Sequence, residues 1–302
     1  MNADLLILSG ARASLIAASG LAAVHLLPQA WIRTRRGVAL GAVWSLLFLP
    51  WISLNLPVPE LAKARLPAPA SHTVSLVVFT ALWALGSLAR LGRLGAESRR
   101  LRRMAWDAGV QGPVRIVEGL ETPCIWGLFR PCILMPPEAR AWVSAEWRAA
   151  VLHEEQHIRQ HDGWHRLAAA LVRCLFWWNP LAHALCRRLE IESELCCDEA
   201  ATATSSRRAY GEMLLHLAAR TAFETVPAWA STGSLKERIQ RLVAPRPCGR
   251  LNGWARALVV AAVLTIGFVG GCCVDIARKL PSSNDLKTEA ELRLGADPFP
   301  LK

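Results

Sequence analysis

Four long apolar runs, each free of Asp, Glu, Lys and Arg, divide the chain: Ala13 to Ile32, Val38 to Leu56, His72 to Ala89 and Ala257 to Val274. Each is long enough to cross a bilayer as a helix, which takes roughly 17–25 residues. Pro50 is tolerable there, since membrane helices accept proline. Arg33, Arg35 and Arg36 follow the first run, and the stretch RLGRLGAESRRLRR, Arg90 to Arg103, follows the third. A signal peptide would carry its basic residues before the apolar run, not after it. The positive-inside rule puts both basic segments in the cytoplasm and the Pro/Ala-rich loop 57–71 outside. The expectation is three transmembrane helices in 1–105, a cytoplasmic domain over 106–250, a fourth span over 251–275 and a short extracytoplasmic tail, 276–302. Val269-Gly270-Gly271-Cys272 faintly resembles a lipoprotein cleavage box, but an ordinary span ending in small residues is the preferred reading.

Between the third and fourth runs the pattern turns globular. Val114 to Val117 and Cys132 to Met135 read as short strands, separated by turn residues Gly119, Pro123, Gly127 and Pro131. A polar helix is expected from about Ala145 to Asp162, with Ser144 as its N-cap and Glu146 in its first turn. Leu167 to Leu185 is apolar but holds Arg173 and Asn179-Pro180, so it reads as two shorter helices. Trp177-Trp178 suits either a membrane interface or the domain core. Further helices are expected over 187–204, 209–222 and 235–243.

Composition agrees with a membrane protein: 53% of residues are hydrophobic and the mean hydropathy is +0.25. The net charge of +11 does not point to nucleic acid, because the basic residues cluster beside apolar runs. Nine cysteines lie without a C-x-x-C pair, and a disulfide framework is not expected in a cytoplasmic domain. Cys196 and Cys197 cannot point the same way from a helix and read as small packing residues.

The chemistry centres on His153-Glu154-Glu155-Gln156-His157, an H-E-x-x-H sequence. Four residues apart on a helix, His153 and His157 share a face and can hold one metal ion. Glu154 stands beside the first, where its carboxylate can act as general base on an attacking water. This is the arrangement of a zinc peptidase. Zinc takes a third protein ligand. Glu190 and Glu194 both lie on the later acidic helix, and spacing alone does not choose between them. Asp198, one turn beyond Glu194, can orient a ligating histidine. The strand 132–135 is a candidate to receive substrate as an added strand. His161 and His165 continue the four-residue ladder but read as polar surface or supporting residues. Tyr210, the one tyrosine in the chain, reads as packing.

Several motifs recur in order: G-L-F-R-P-x-I-x-x-P-P at 127–137, H-E-x-x-H-x-R-x-x-D at 153–162, F-W-W-N-P at 176–180, and E-x-E-L-C-C-D at 192–198. Y-x-x-x-L-L-x-L at 210–217 and L-K-x-R-I-x-R-L at 235–242 follow. The set resembles the BlaR/MecR-type antirepressor family of integral-membrane zinc metallopeptidases. The resemblance implies a mainly α, multi-pass protein of a bacterial inner (cytoplasmic) membrane, with a cytoplasmic α+β gluzincin-like domain. It implies Zn2+ ligation by His153, His157 and Glu194, and catalysis by Glu154. Its E-x-x-x-D spacing, shared with the related HtpX/CAAX-protease group, selects Glu194 over Glu190 and makes Asp198 the supporting partner.

Members of that family cut a protein substrate in signalling, with a winged-helix repressor inactivated as a result. They also carry a penicillin-binding sensor domain after the fourth span. Fewer than thirty residues follow here, without S-x-x-K, so a separate sensor subunit or another stimulus is expected. A homodimer is compatible with the sequence, and direct nucleic-acid binding is not expected. Membrane quality control and a signalling scaffold with a structural metal are the competing readings. The catalytic glutamate of the motif argues against the scaffold.

Overall fold

A computed structural model describes residues 3–55, 73–107, 114–203, 206–221 and 228–244, together with Trp254 and Ala261. The architecture is mainly helical with one small sheet. Helices α1 (Ala3–Leu26) and α2 (Ile32–Asn55) form an N-terminal hairpin, followed by the long α3 (Thr73–Asp107). Strands β1 (Val114–Ile116), β2 (Cys124–Trp126) and β3 (Cys132–Met135) come next, then α4 (Ser144–Arg159), α5 (Asp162–Leu175) and α6 (Pro180–Ala201). Helices α7 (Arg207–Thr221) and α8 (Ala228–Val243) complete the described fold.

The sheet order is β1-β3-β2, with β1 parallel and β2 antiparallel to β3. All four residues of β3 are buried. The tight β2–β3 connection needs Gly127: its φ is +95°, and a Cβ there would lie 2.7 Å from the Arg130 carbonyl oxygen. Strand β2 falls where turn residues had predicted only a connection, because Cys124-Ile125-Trp126 is too short to show an alternating pattern. Its presence also corrects the expected role of 132–135. Central β3 has neighbours on both sides, so it has no free edge for a substrate strand; the outer edges belong to β1 and β2.

One core joins α1, α2, α5 and α6, around Ala17, Val43, Leu46, Val172, Leu185 and Leu189. Small residues let the helices close on one another: a Cβ at Gly20 would sit 2.8 Å from Ala42 Cβ. The F-W-W-N-P segment is the clasp. Asn179 is buried and caps α6, accepting from the Leu181 and Ala182 N–H groups, while Pro180 starts the helix where no N–H is needed. Its amide donates to Ser14 of α1. Trp177 Nε1 donates to the Trp83 carbonyl of α3, and Trp83 Nε1 donates to the Leu175 carbonyl. The tryptophan pair therefore fastens the α5–α6 turn to α1 and α3.

The four expected membrane spans meet a different picture. Among the described residues no helix is long and apolar enough to cross a membrane. Helix α1 interrupts its apolar residues with Ser9, Gly10, Arg12, Ser14, Ser19 and Gly20. Helices α1 and α2 also bury apolar faces in the shared protein core. The third apolar run continues without a break through the arginine cluster as the single 35-residue α3, since Ala, Leu, Glu and Arg are good helix formers. Of the run 257–274 only Ala261 is described; the loop 57–71 and the tail 276–302 lie outside the described residues.

The clasp yields a test. A Cβ at Gly86 would lie 2.6 Å from Trp177 Cε2, whereas one at Gly92 meets nothing within 4 Å. Alanine is favoured over glycine in a helix by about 1 kcal/mol, and overpacking a core costs about 1–3 kcal/mol. Gly92→Ala is expected to stabilise the protein and Gly86→Ala to destabilise it, in denaturant-unfolding midpoints. Equal effects at the two positions would argue against the clasp.

Candidate metal centre

Helix α4 carries the H-E-x-x-H sequence on its buried face, with Ala149, Ala150, His153, Glu154 and His157 all turned inward. Ser144 is the first helical residue and Val143 the cap, one position from expectation; the Glu146 carboxylate accepts from the Val143 N–H. The helix ends earlier than its polar pattern suggests. His161 adopts a left-handed conformation, φ 55°, and α5 restarts at Asp162. That break has a consequence. In an unbroken helix, residues five apart point about 140° away from each other. After the break, Asp162 turns back and its Oδ2 lies 2.6 Å from His157 Nδ1.

Both imidazoles and one carboxylate of α6 converge. His153 Nε2 is 3.3 Å from Glu194 Oε2, and His157 Nε2 is 3.5 Å from Glu194 Oε1. The two rings stand edge to face with centroids 4.9 Å apart. The candidate ligand atoms of His153, His157 and Glu194 all fall within 4.8 Å of one another. Glu190 does not join them: it pairs with Arg173 at 2.6 and 2.9 Å. Of the two glutamates that spacing left open, Glu194 is the one that lies beside both histidines.

The hydrogen bonds behind the imidazoles fix which nitrogen faces the centre. A carboxylate only accepts, so His157 donates its Nδ1–H to Asp162. Tyr210 Oη donates to Asp198 Oδ1 at 2.8 Å, so the same oxygen accepts from His153 Nδ1–H at 2.9 Å. Asp198 Oδ1 is itself 3.3 Å from His153 Nδ1. Both Nε2 atoms are left to face Glu194. Two imidazole nitrogens and a carboxylate oxygen, each supported from behind, form a donor set that fits zinc. A second grouping, His157, Asp162 and Cys197, would need the Nδ1 that already serves Asp162. Burial also pushes the Cys197 thiol far up, with Glu194 and Asp162 adding to the shift.

Three guanidiniums balance the carboxylates. Arg238 of α8 grips Asp198 with two donors, at 2.8 and 2.6 Å, and lies 3.1 Å from Glu194 Oε2. Arg166 reaches Glu194 Oε1 at 2.8 Å from the more open side. Arg36 of α2 bonds Asp162. Burial alone would lower the His153 pKa, but its bonds to Asp198 and Glu194 outweigh that and raise it to about 9. His157 is raised in the same way through Asp162 and Glu194. Burial would raise the Asp198 carboxyl, yet Arg238 and His153 hold it down at about 2. Arg238 and the two histidines likewise hold Glu194 well below the usual carboxylate range.

The structure therefore brings together His153, His157, Glu194 and Asp198, with Glu154 buried on the same helix. It leaves His161 exposed at the helix break and His165 edge-on to Trp44. Tyr210, expected only as packing, does more. Its ring does pack against α4 and α8, but its hydroxyl orients His153. The available signal was a lone hydroxyl on the apolar face of Met213 and Leu214, since a buried hydroxyl needs a partner. Arg238, Arg166 and Arg36 were missed because a sequence does not reveal which surface a basic residue faces. Strand β2 borders the centre: burial raises the Cys124 thiol to about 11, with Glu154 adding to the shift.

Comparison with known proteins points to a peptidase family. Residues 64–242 match the family model described as BlaR1 peptidase M56, which spans more than half of the chain. A stretch of 99 residues is 28% identical to the regulatory protein BlaR1 of Bacillus licheniformis. The match covers 32% of this chain and 16% of that relative, so the chain spans only a small part of the relative's length. On the breadth of the family match, this chain belongs to the BlaR1-type M56 family of metallopeptidases.

Proposed function

We propose that the protein is a membrane-associated zinc endopeptidase that cuts a protein substrate in signal transduction. The observation that carries this reading is the convergence of His153 Nε2, His157 Nε2 and Glu194 beside the buried Glu154. His153, His157 and Glu194 would hold the zinc, and Asp198, through Tyr210 and directly, orients His153. Bound there, zinc would supply Lewis acidity toward water and a substrate carbonyl. Glu154 takes the proton from the attacking water and delivers it to the leaving amine. Substrate pairs in extended form with the outer edge of β2, whose Cys124 feels the charge of Glu154. A winged-helix repressor is the substrate class that family resemblance suggests, with a separate sensor subunit supplying the signal and a homodimer as the assembly.

Membrane association rests on surface pattern. Val77, Val78, Leu82, Leu85 and Leu88 are each more than half exposed on α3. The arginines from Arg90 to Arg103 follow on the same helix. An apolar face leading into a basic one suits a helix that meets lipid and anionic headgroups.

Glu154→Gln removes the proton carrier and leaves the ligands in place. It is expected to retain zinc by metal analysis and to lose about 100- to 10,000-fold in peptide hydrolysis. Substrates are those proteins that accumulate in cells carrying this variant but not the wild type. Undiminished cleavage would remove Glu154 from the mechanism.

The charge pattern sets a pH test. In the metal-free protein the raised His153 pKa stabilises the fold fully below about pH 6.5, and this contribution is lost as pH rises through about 9. Protons and zinc compete for Nε2. The metal-free melting temperature is therefore expected to fall between pH 6.5 and 9, while the increase on adding zinc grows over the same window. A zinc effect independent of pH would contradict ligation by His153.

A further inference from the structure

Arg33, Arg35 and Arg36 have the sequence pattern of residues that set membrane topology. Their fates in the structure differ. Arg33 is exposed, whereas Arg36 is largely buried, with 14% of its side chain accessible. Its guanidinium leaves α2 and enters the junction between α4 and α5. There Nε donates to Ser193 Oγ at 3.1 Å, and Nη2 donates to the Gln160 carbonyl at 3.3 Å and to Asp162 Oδ1.

Each contact has a physical reason. Gln160 is the C-cap of α4, so its carbonyl has no helical partner, and the negative end of the helix dipole favours a cation. Asp162 is 1% exposed, and a buried carboxylate without a counter-charge is costly. Ser193 lies next to Glu194 on α6. One side chain thus fixes the end of the ligand helix, the carboxylate behind His157 and the turn that presents Glu194. The forked guanidinium makes all three contacts at once.

Arg35 turns the other way and forms an ion pair with Glu192 at 2.9 Å. Glu192 is fully buried and also accepts from Arg188, which reaches Glu237 of α8. Helix α8 carries Arg238, the partner of Asp198 behind His153. Two adjacent residues of α2 therefore lead to the supports of the two histidines by separate routes, the shorter through Arg36.

We infer that Arg36 is a positioning residue for His157, acting through Asp162, and that it couples the N-terminal hairpin to the metal centre. A displacement of α2 releases Asp162 and loosens His157, so the hairpin sets the metal affinity of the site. The inference rests on the zinc reading of His153, His157 and Glu194, and deepens it by naming how the site is regulated.

The test uses the full chain with zinc alone as ligand, measured by competition with a chromophoric chelator. Loss of a residue that supports a metal ligand typically costs 10–100-fold in affinity. Arg36→Gln and Asp162→Asn are each expected to weaken zinc in that range, and the double variant no more than the worse single one. Arg36→Lys keeps the charge but not the fork and falls between Arg36→Gln and wild type. It also carries the test if Arg36→Gln does not fold. Arg33→Gln, with the same loss of charge, binds zinc as wild type does. A second readout needs no metal: in metal-free protein, long-range 1H–15N spectra of neutral His157 show the Nδ1–H tautomer, and a mixture in Arg36→Gln or Arg36→Lys. Wild-type zinc affinity in Arg36→Gln, or additive losses in the double variant, would overturn the coupling while leaving the metal reading intact. Absence of zinc binding in wild type, with the tautomer change still present, would overturn the metal reading and leave the coupling in place.

Discussion

The site depends on one constraint: an imidazole offers a metal only the nitrogen that its other hydrogen bond leaves free. Here both Nδ1 atoms are engaged from behind, His157 by Asp162 and His153 by Tyr210 and Asp198. That requirement places two carboxylates in the interior. They in turn require Arg36 and Arg238, because unpaired buried charge is not tolerated. The helix break at His161 brings Asp162 to His157, while α8 supplies Arg238 and α2 supplies Arg36.

The same constraint explains why the N-terminal hairpin cannot be treated as a separate anchor. Its apolar side shares a core with α5 and α6, and its basic end enters the support of the ligands. The F-W-W-N-P segment adds a third connection, through Trp177 to α3 and Asn179 to α1. The hairpin is thus joined to the buried histidines through packed helices and hydrogen bonds.

Much of the site was legible in the sequence because it rests on local periodicity. His153 and His157 share a face by four-residue spacing, and Glu194 and Asp198 share another by the same rule. The break at Asn179-Pro180 was legible from proline chemistry. Strand β2 was not, being three residues long and dependent on β3 for its hydrogen bonds. The end of α4 was misplaced by a few residues, because no glycine or proline marks it. His161 is held in its left-handed conformation among tertiary contacts to Gln160 and Asp162.

By itself, then, the sequence determined the helix that carries the metal motif, two acidic candidates for the third ligand, and the apolar and basic segments before it. Those are properties of neighbours along a chain, and helical spacing is enough to read them. Tertiary structure set Glu190 against Arg173 and Glu194 against the histidines. It also turned Tyr210 from packing into a support, and Arg36 from a topology signal into a strut behind His157. A charge or hydroxyl acquires its role from the group that faces it across the fold, and that group lies 57 residues away for Tyr210 and 126 for Arg36.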